Sequence, residues 1–204
     1  MKLCLVAQGI LILCILLAAP SRADDPTPST CRVSPIVACP GGDLRINVLV
    51  RKGRTPLGHA LVTLDLGPCS ELKMAAPLTI DPNVTLDGVR LTRKSAEDGH
   101  ALFAVRAGGV SACSRILVLA AGVLIAERTA IVSPDQNGDM RVDQADLDIL
   151  RAKLGTKDPT GDLDGDGRVT PSDVLAARLH LGHHADLATP TKTTTWGEIK
   201  AGYR

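Results

Sequence analysis

Apolar and polar residues alternate with period two through the first half of the chain. In DLRINVLVR, Leu44, Ile46, Val48 and Val50 fall on one side; in ALVTLDLG it is Ala60, Val62, Leu64 and Leu66; in HALFAVRAG it is Ala101, Phe103 and Val105. RILVLAAGVLIAERTAIV adds two apolar runs around Gly122. Alternation puts every second side chain on one face of a strand, and Gly, Pro and Asp punctuate the runs. The spacing therefore predicts an all-β sandwich over 33–133. Helical stripes enter only later. Val142, Leu147, Leu150 and Leu154 share one helical face, and Val169, Val174, Ala177 and Leu181 share its twin. Asp143 and Thr170 suit N-caps, Pro171 suits a first turn, and Gly155 and Gly182 suit helix ends. Neither helix can bury its face alone, so the two are expected to pack on each other as a small all-α unit over 134–186.

Each predicted helix follows an acidic loop. DQNGDMRVDQAD begins at Asp135, and DLDGDGRVTPSD begins at Asp162, 27 positions later. Crowded carboxylates repel and call for a cation. Side-chain oxygens at loop positions 1, 3, 5 and 12, with a carbonyl at 7, enclose a hard ion such as Ca²⁺. In the first loop these are Asp135, Asn137, Asp139 and Asp146, with the carbonyl of Arg141. In the second they are Asp162, Asp164, Asp166 and Asp173, with the carbonyl of Arg168. Position 9 is Asp143 or Thr170, acting through water. All-oxygen ligands favour calcium over zinc, so two Ca²⁺ ions are expected, with binding coupled to folding. Position 6 prefers Gly. Gly167 meets this and Met140 does not, which at φ > 0 costs roughly 1 kcal/mol and predicts a weaker first site.

Two loop–helix copies with these ligands, and no leading helix before either loop, resemble type I dockerins. AIVSP, ahead of Asp135, is strand-like and contains Pro134. The resemblance implies a paired-repeat calcium module that meets a cohesin-like protein partner through loop positions 10 and 11 and helix positions 17 and 18. Here those are Gln144, Ala145, Arg151 and Ala152, then Pro171, Ser172, Arg178 and Leu179. The pairs differ between copies and lack the Ser/Thr pair common in cellulosomal dockerins. GRTPLGHALVTL and SAEDGHALFAV resemble bacterial immunoglobulin-like domains, which implies an Ig-like sandwich used for spacing, adhesion or scaffolding. Together they imply a non-catalytic attachment protein. One alternative is an accessory subunit of a cellulosome-like complex for polysaccharide catabolism; another is a calcium clip that only stabilises the β domain.

The ends and the composition bound this picture. Lys2, an apolar run from Leu3 to Ala19 and Ser21-Arg22-Ala23 predict a secretory signal peptide over 1–23, with a retained membrane anchor as the alternative. A secreted, extracellular or cell-surface protein follows, with no membrane attachment after signal removal. Residues 24–32 read as a flexible leader. Four cysteines then remain, Cys31, Cys39, Cys69 and Cys113, and an even count in an exported chain suggests two disulfides. Three pairings are possible. Cys31–Cys39 as a local loop and Cys69–Cys113 as a longer staple is the working expectation; a Cys₄ zinc site lacks any C-x-x-C pair. A net charge of +1 without Lys/Arg runs argues against nucleic acid. A single Phe, Trp and Tyr argue against a sugar-stacking face. No nucleophile elbow or phosphate loop appears, and Asp65, Asp87, Glu97 and Asp98 read as turn and surface residues. His180, His183 and His184 with Asp186 suit either a helix C-terminus or a transition metal. Residues 187–204 read as a polar linker ending in WGEIKAGYR, a tag that sorting machinery or a partner could read, or a bland tail.

Overall fold

The computed structural model describes residues 25–67, 72–109 and 111–186. Its strands are β1 (Arg32–Val33), β2 (Ile46–Leu49), β3 (Arg51–Lys52), β4 (Thr55–Pro56), β5 (Leu61–Asp65), β6 (Lys73–Met74), β7 (Thr85–Asp87), β8 (Arg90–Lys94), β9 (His100–Phe103), β10 (Ala107–Gly108), β11 (Ser111–Ala120) and β12 (Val123–Ile131). The helices are α1 (Gln144–Ala152) and α2 (Pro171–Arg178).

One sheet has the order β12-β11-β5-β8-β7 and another β1-β2-β9, all antiparallel; β10 pairs with β6 and β3 with β4. The alternation does what the sequence predicts. Ile46, Val48, Val62, Leu64, Ala101 and Phe103 are fully buried. They join Leu91, Ile116 and Val118 in one apolar cluster, so the two larger sheets enclose a common core. β11 turns into β12 through Ala121 and Gly122, both at positive φ (48° and 81°), as a tight hairpin whose twist matches its strands requires.

The expected separate all-α module is not formed. α1 and α2 are only nine and eight residues long. Their own core is Leu147, Leu150 and Ala177, with Val174 and Leu163 packed against it, while Leu154 and Leu181 stay exposed. Leu163 also packs on the β core, so the two cores meet. So small an apolar set cannot offset the entropy of ordering about fifty residues by itself. The segment instead rests on the β-unit: the Gly109 N–H donates to the Asp135 carbonyl (2.8 Å), and the Ala76 N–H to the Asp186 carbonyl (3.4 Å).

The leader is also ordered where it is described. Pro28–Thr30 forms a 3₁₀ turn, and the Thr27 N–H donates to the Arg51 carbonyl (2.8 Å). Cys31 is buried and Arg32 opens β1. The expected signal peptide and C-terminal tag lie outside the described residues. Among the described residues no helix is long and apolar enough to cross a membrane.

Candidate metal-binding loops and their dock on the β-unit

The sequence repeat at an offset of 27 is also a repeat of hydrogen bonds. The Asp135 carboxylate accepts from the N–H groups of Gly138 (2.8 Å) and Met140 (2.9 Å), and Asp162 accepts from Gly165 (2.7 Å) and Gly167 (2.8 Å). Asp146 accepts from Gln136, Asn137 and Asp143 at 2.8, 3.1 and 2.9 Å. Asp173 accepts from Leu163, Asp164 and Thr170 at 2.7, 3.1 and 2.7 Å. Asn137 accepts from Asp139 N–H and Asp164 from Asp166 N–H; Asp139 and Asp166 accept from the N–H groups of Arg141 and Arg168. Each carboxylate that ends a loop also sits at the third position of the following helix and closes a capping box with Asp143 or Thr170. Loop and helix are thus one hydrogen-bonded unit.

The two units are joined reciprocally. Gly155 N–H donates to the Val169 carbonyl and Val169 N–H to that of Thr156. Gly182 N–H donates to the Val142 carbonyl and Val142 N–H to that of His183. Both glycines hold positive φ (82° and 88°), which lets the chain reverse after each helix.

Burial separates the loops at their first position: Asp135 is fully buried and Asp162 half-buried. The twelfth positions, Asp146 and Asp173, are buried in both loops, and Asn137, Asp139, Asp164 and Asp166 are exposed. Burial, aided by the charges of Asp146 and Asp139, pushes the Asp135 carboxyl up to about 6. Burial and Asp139 also raise Asp146. In the second loop one oxygen from each of Asp162, Asp164 and Asp166 lies within 4.8 Å of the others.

Loop 1 is seated on β10. A Cβ on Gly108 would collide with the Asp135 carboxylate, and one on Gly109 would sit 3.3 Å from the Gly138 Cα. Met140 holds φ 67°, as position 6 demands, and is buried with its sulfur over Gly108. The sequence marked Met140 as a defect; it is also an anchor, and the apolar area it buries offsets the strain. Gln136, buried as well, donates to the carbonyls of Ser133 (2.7 Å) and Thr160 (3.2 Å) and accepts from Lys153 Nζ (3.0 Å). Loop 2 meets the β-unit through Gly165, close against Pro35.

The residues expected to face a partner, Gln144, Ala145, Arg151, Ala152, Pro171, Ser172, Arg178 and Leu179, are all exposed. Gln144 and Arg151 are tied to Asp148 (2.9 and 2.6 Å), and the Ser172 hydroxyl donates to Asp164 (2.8 Å). Leu154, Leu175, Arg151 and Arg178 border a shallow groove between the helices, and Leu179 stands free at the end of α2.

The cysteine expectation is corrected in one half. Cys31 and Cys39 are both free buried thiols. Cys31 Sγ lies 3.6 Å from the Arg51 carbonyl, whereas Cys39 Sγ lies 3.6 Å from His183 Nδ1, so each is held at its own place in the fold. Cys69 and the Cys113 side chain lie outside what the structure describes. In the histidine cluster, His184 turns to the Gly182 carbonyl (3.2 Å) and Asp186 is exposed, while His180 and His183 both meet Asp43. Asp65 pairs with Arg90 (2.7 Å), which with a Gly67 N–H outweighs burial and keeps its carboxyl below the usual range.

The class defined here is an all-β protein carrying a docked pair of acidic loop–helix units. The chain matches no family model, no curated protein and no solved structure.

Proposed function

We propose that this chain is an exported, non-catalytic attachment protein in which two calcium ions, one per loop, stiffen the loop–helix pair and hold its outer face for a protein partner. The observation that carries this reading is the pair of matched carboxylate frames. Three of their carboxylates are buried, and among the described residues no Lys or Arg forms an ion pair with any loop carboxylate. Unpaired buried charge is costly, and a divalent ion with oxygen ligands supplies the missing compensation. The outer face supports the partner. Leu175 and Leu179 are 60% and 75% exposed beside Arg151 and Arg178, a mixture of apolar and guanidinium groups common where proteins meet. A second reading, calcium as a clip for the β-unit alone, is favoured by the seat of loop 1 on β10.

Calorimetric titration of the full chain with Ca²⁺, with chelator as control, tests the proposal. Two ions bound and a higher melting temperature are expected, with one ion lost in Asp162→Asn. Absence of heat and of any thermal shift would overturn it. Capture of a partner in calcium that Leu179→Glu abolishes supports attachment; capture unaffected by that change points to the clip alone.

A further inference from the structure

Away from the loops, the turn that follows the first buried stretch meets the end of α2. Cys39 and Asp43 lie at i and i+4 around a turn closed by Gly42 N–H to the Cys39 carbonyl (2.8 Å). His180 and His183 lie at i and i+3 around another, closed by His183 N–H to the His180 carbonyl (3.0 Å). The turns face each other. His180 Nδ1 is 2.7 Å from Asp43 Oδ2, His183 Nδ1 is 3.3 Å from Asp43 Oδ1, and Cys39 Sγ is 3.6 Å from His183 Nδ1. One ligand atom from each of the four residues lies within 4.8 Å of the other three.

We infer that Cys39, Asp43, His180 and His183 form a tetrahedral site for Zn²⁺ that clamps the end of α2 to the β-unit, independently of the calcium loops. Zinc takes thiolate, imidazole and carboxylate ligands at roughly 2.0–2.3 Å, which sets neighbouring ligand atoms about 3.3–3.8 Å apart. Two of the three contacts, at 3.3 and 3.6 Å, fall in that range, and the 2.7 Å hydrogen bond would open slightly, so small side-chain shifts close the shell. Sulfur beside imidazole selects against calcium and magnesium, and the carboxylate favours zinc over the softer Cu(I). Four protein ligands leave no open position, so the site is structural. The ligand turn is held from behind: Arg106 Nε donates to the Pro40 carbonyl (3.3 Å) and Arg45 Nη1 to that of Gly42 (3.0 Å). On binding, zinc takes the sulfur of Cys39 as thiolate and the thiol proton leaves to solvent. A hydrogen-bonded Asp–His pair accounts for Asp43 and His180; the buried Cys39 thiol, which also hydrogen-bonds Asp43, and the second imidazole complete a set of four mixed donors.

The test uses the full reduced chain in excess calcium, titrated with Co²⁺ and then Zn²⁺. Expected are the visible bands of tetrahedral cobalt and a near-ultraviolet thiolate-to-cobalt band, saturating at a single equivalent and displaced by a single equivalent of zinc. Cys39→Ser removes the thiolate band. His183→Ala, at a half-exposed position that folding tolerates, weakens binding by about tenfold or more, since loss even of an outer-shell partner costs that much. Asp162→Asn in the calcium loop leaves the cobalt spectrum unchanged. Absence of tetrahedral bands, or bands that survive both cluster variants in chains folded by circular dichroism, overturns the assignment.

Discussion

Loop 1 and loop 2 share twelve positions, one hydrogen-bond diagram and one capping arrangement, yet they are electrostatically different objects. Positions 3 and 5 stand in water in both loops, where repulsion is screened, and loop 2 leaves its first carboxylate, Asp162, half-buried as well. Loop 1 places Asp135 against Gly108 in the protein, and its carboxyl rises to about 6. The backbone of a loop follows from local hydrogen bonding; the cost of its charge follows from what lies behind it. Loop 1 is therefore expected to gain more stability from calcium than loop 2, whatever strain Met140 adds.

The comparison breaks most sharply at Gly108. Gly108→Ala drives a methyl into the Asp135 carboxylate, which is buried and held by the Gly138 and Met140 N–H groups, and should cost about 3 kcal/mol by denaturant unfolding. Loop 2, which meets the β-unit at Pro35, should still bind the proposed calcium in whatever chain remains folded. Equal calcium loss from both loops would mean that the units do not differ in their dependence on the β-unit.

The next effect is electrostatic and needs chelator. The Asp135 carboxyl titrates near 3.9 in an unfolded chain and at about 6 in the folded, calcium-free one. A raised carboxyl favours the fold while protonated. Its contribution is complete below about pH 4 and is lost as pH rises through about 6, up to roughly 3 kcal/mol in all. Unfolding curves of the wild type and Asp135→Asn in chelator at about pH 4.5 and 7 check the sign: the variant should gain on the wild type as pH rises. A variant that fails to gain on the wild type as pH rises would overturn the burial cost assigned to Asp135.

The smallest effect sharpens the role of position 6. Met140→Gly relieves about 1 kcal/mol of left-handed strain but gives up a buried side chain worth roughly 2 kcal/mol, for a net loss near 1 kcal/mol. A more stable variant would show that Met140 is a defect after all.

Much of this molecule is legible from neighbours in the chain. Ile46, Val48, Val62, Leu64 and Phe103 point inward because alternation is a property of the strand itself. Asp143 and Thr170 cap their helices, and the ligand frames form, because all their bonds span ten residues or fewer. The reading fails wherever distance in sequence is large. Two short amphipathic helices look like a self-sufficient module until Leu163, Met140 and Asp135 are seen against the β-unit. The only sequence signal of that dock was the missing glycine at position 6.

The cysteines fail for the same reason. Cys31 and Cys39 are neighbours in sequence and were expected to pair, but each is held by a different part of the fold. His180 and His183 were legible as candidate ligands; Cys39 and Asp43, more than 130 positions earlier, were not. Sequence by itself determined the strands, the caps and the two acidic frames, since these depend on bonds and periodicities within a few turns of chain. Tertiary structure alone decided that Asp135 is buried more deeply than Asp162, that Cys31 and Cys39 stay free and which four side chains converge, because burial and convergence depend on packing between segments that no local pattern encodes.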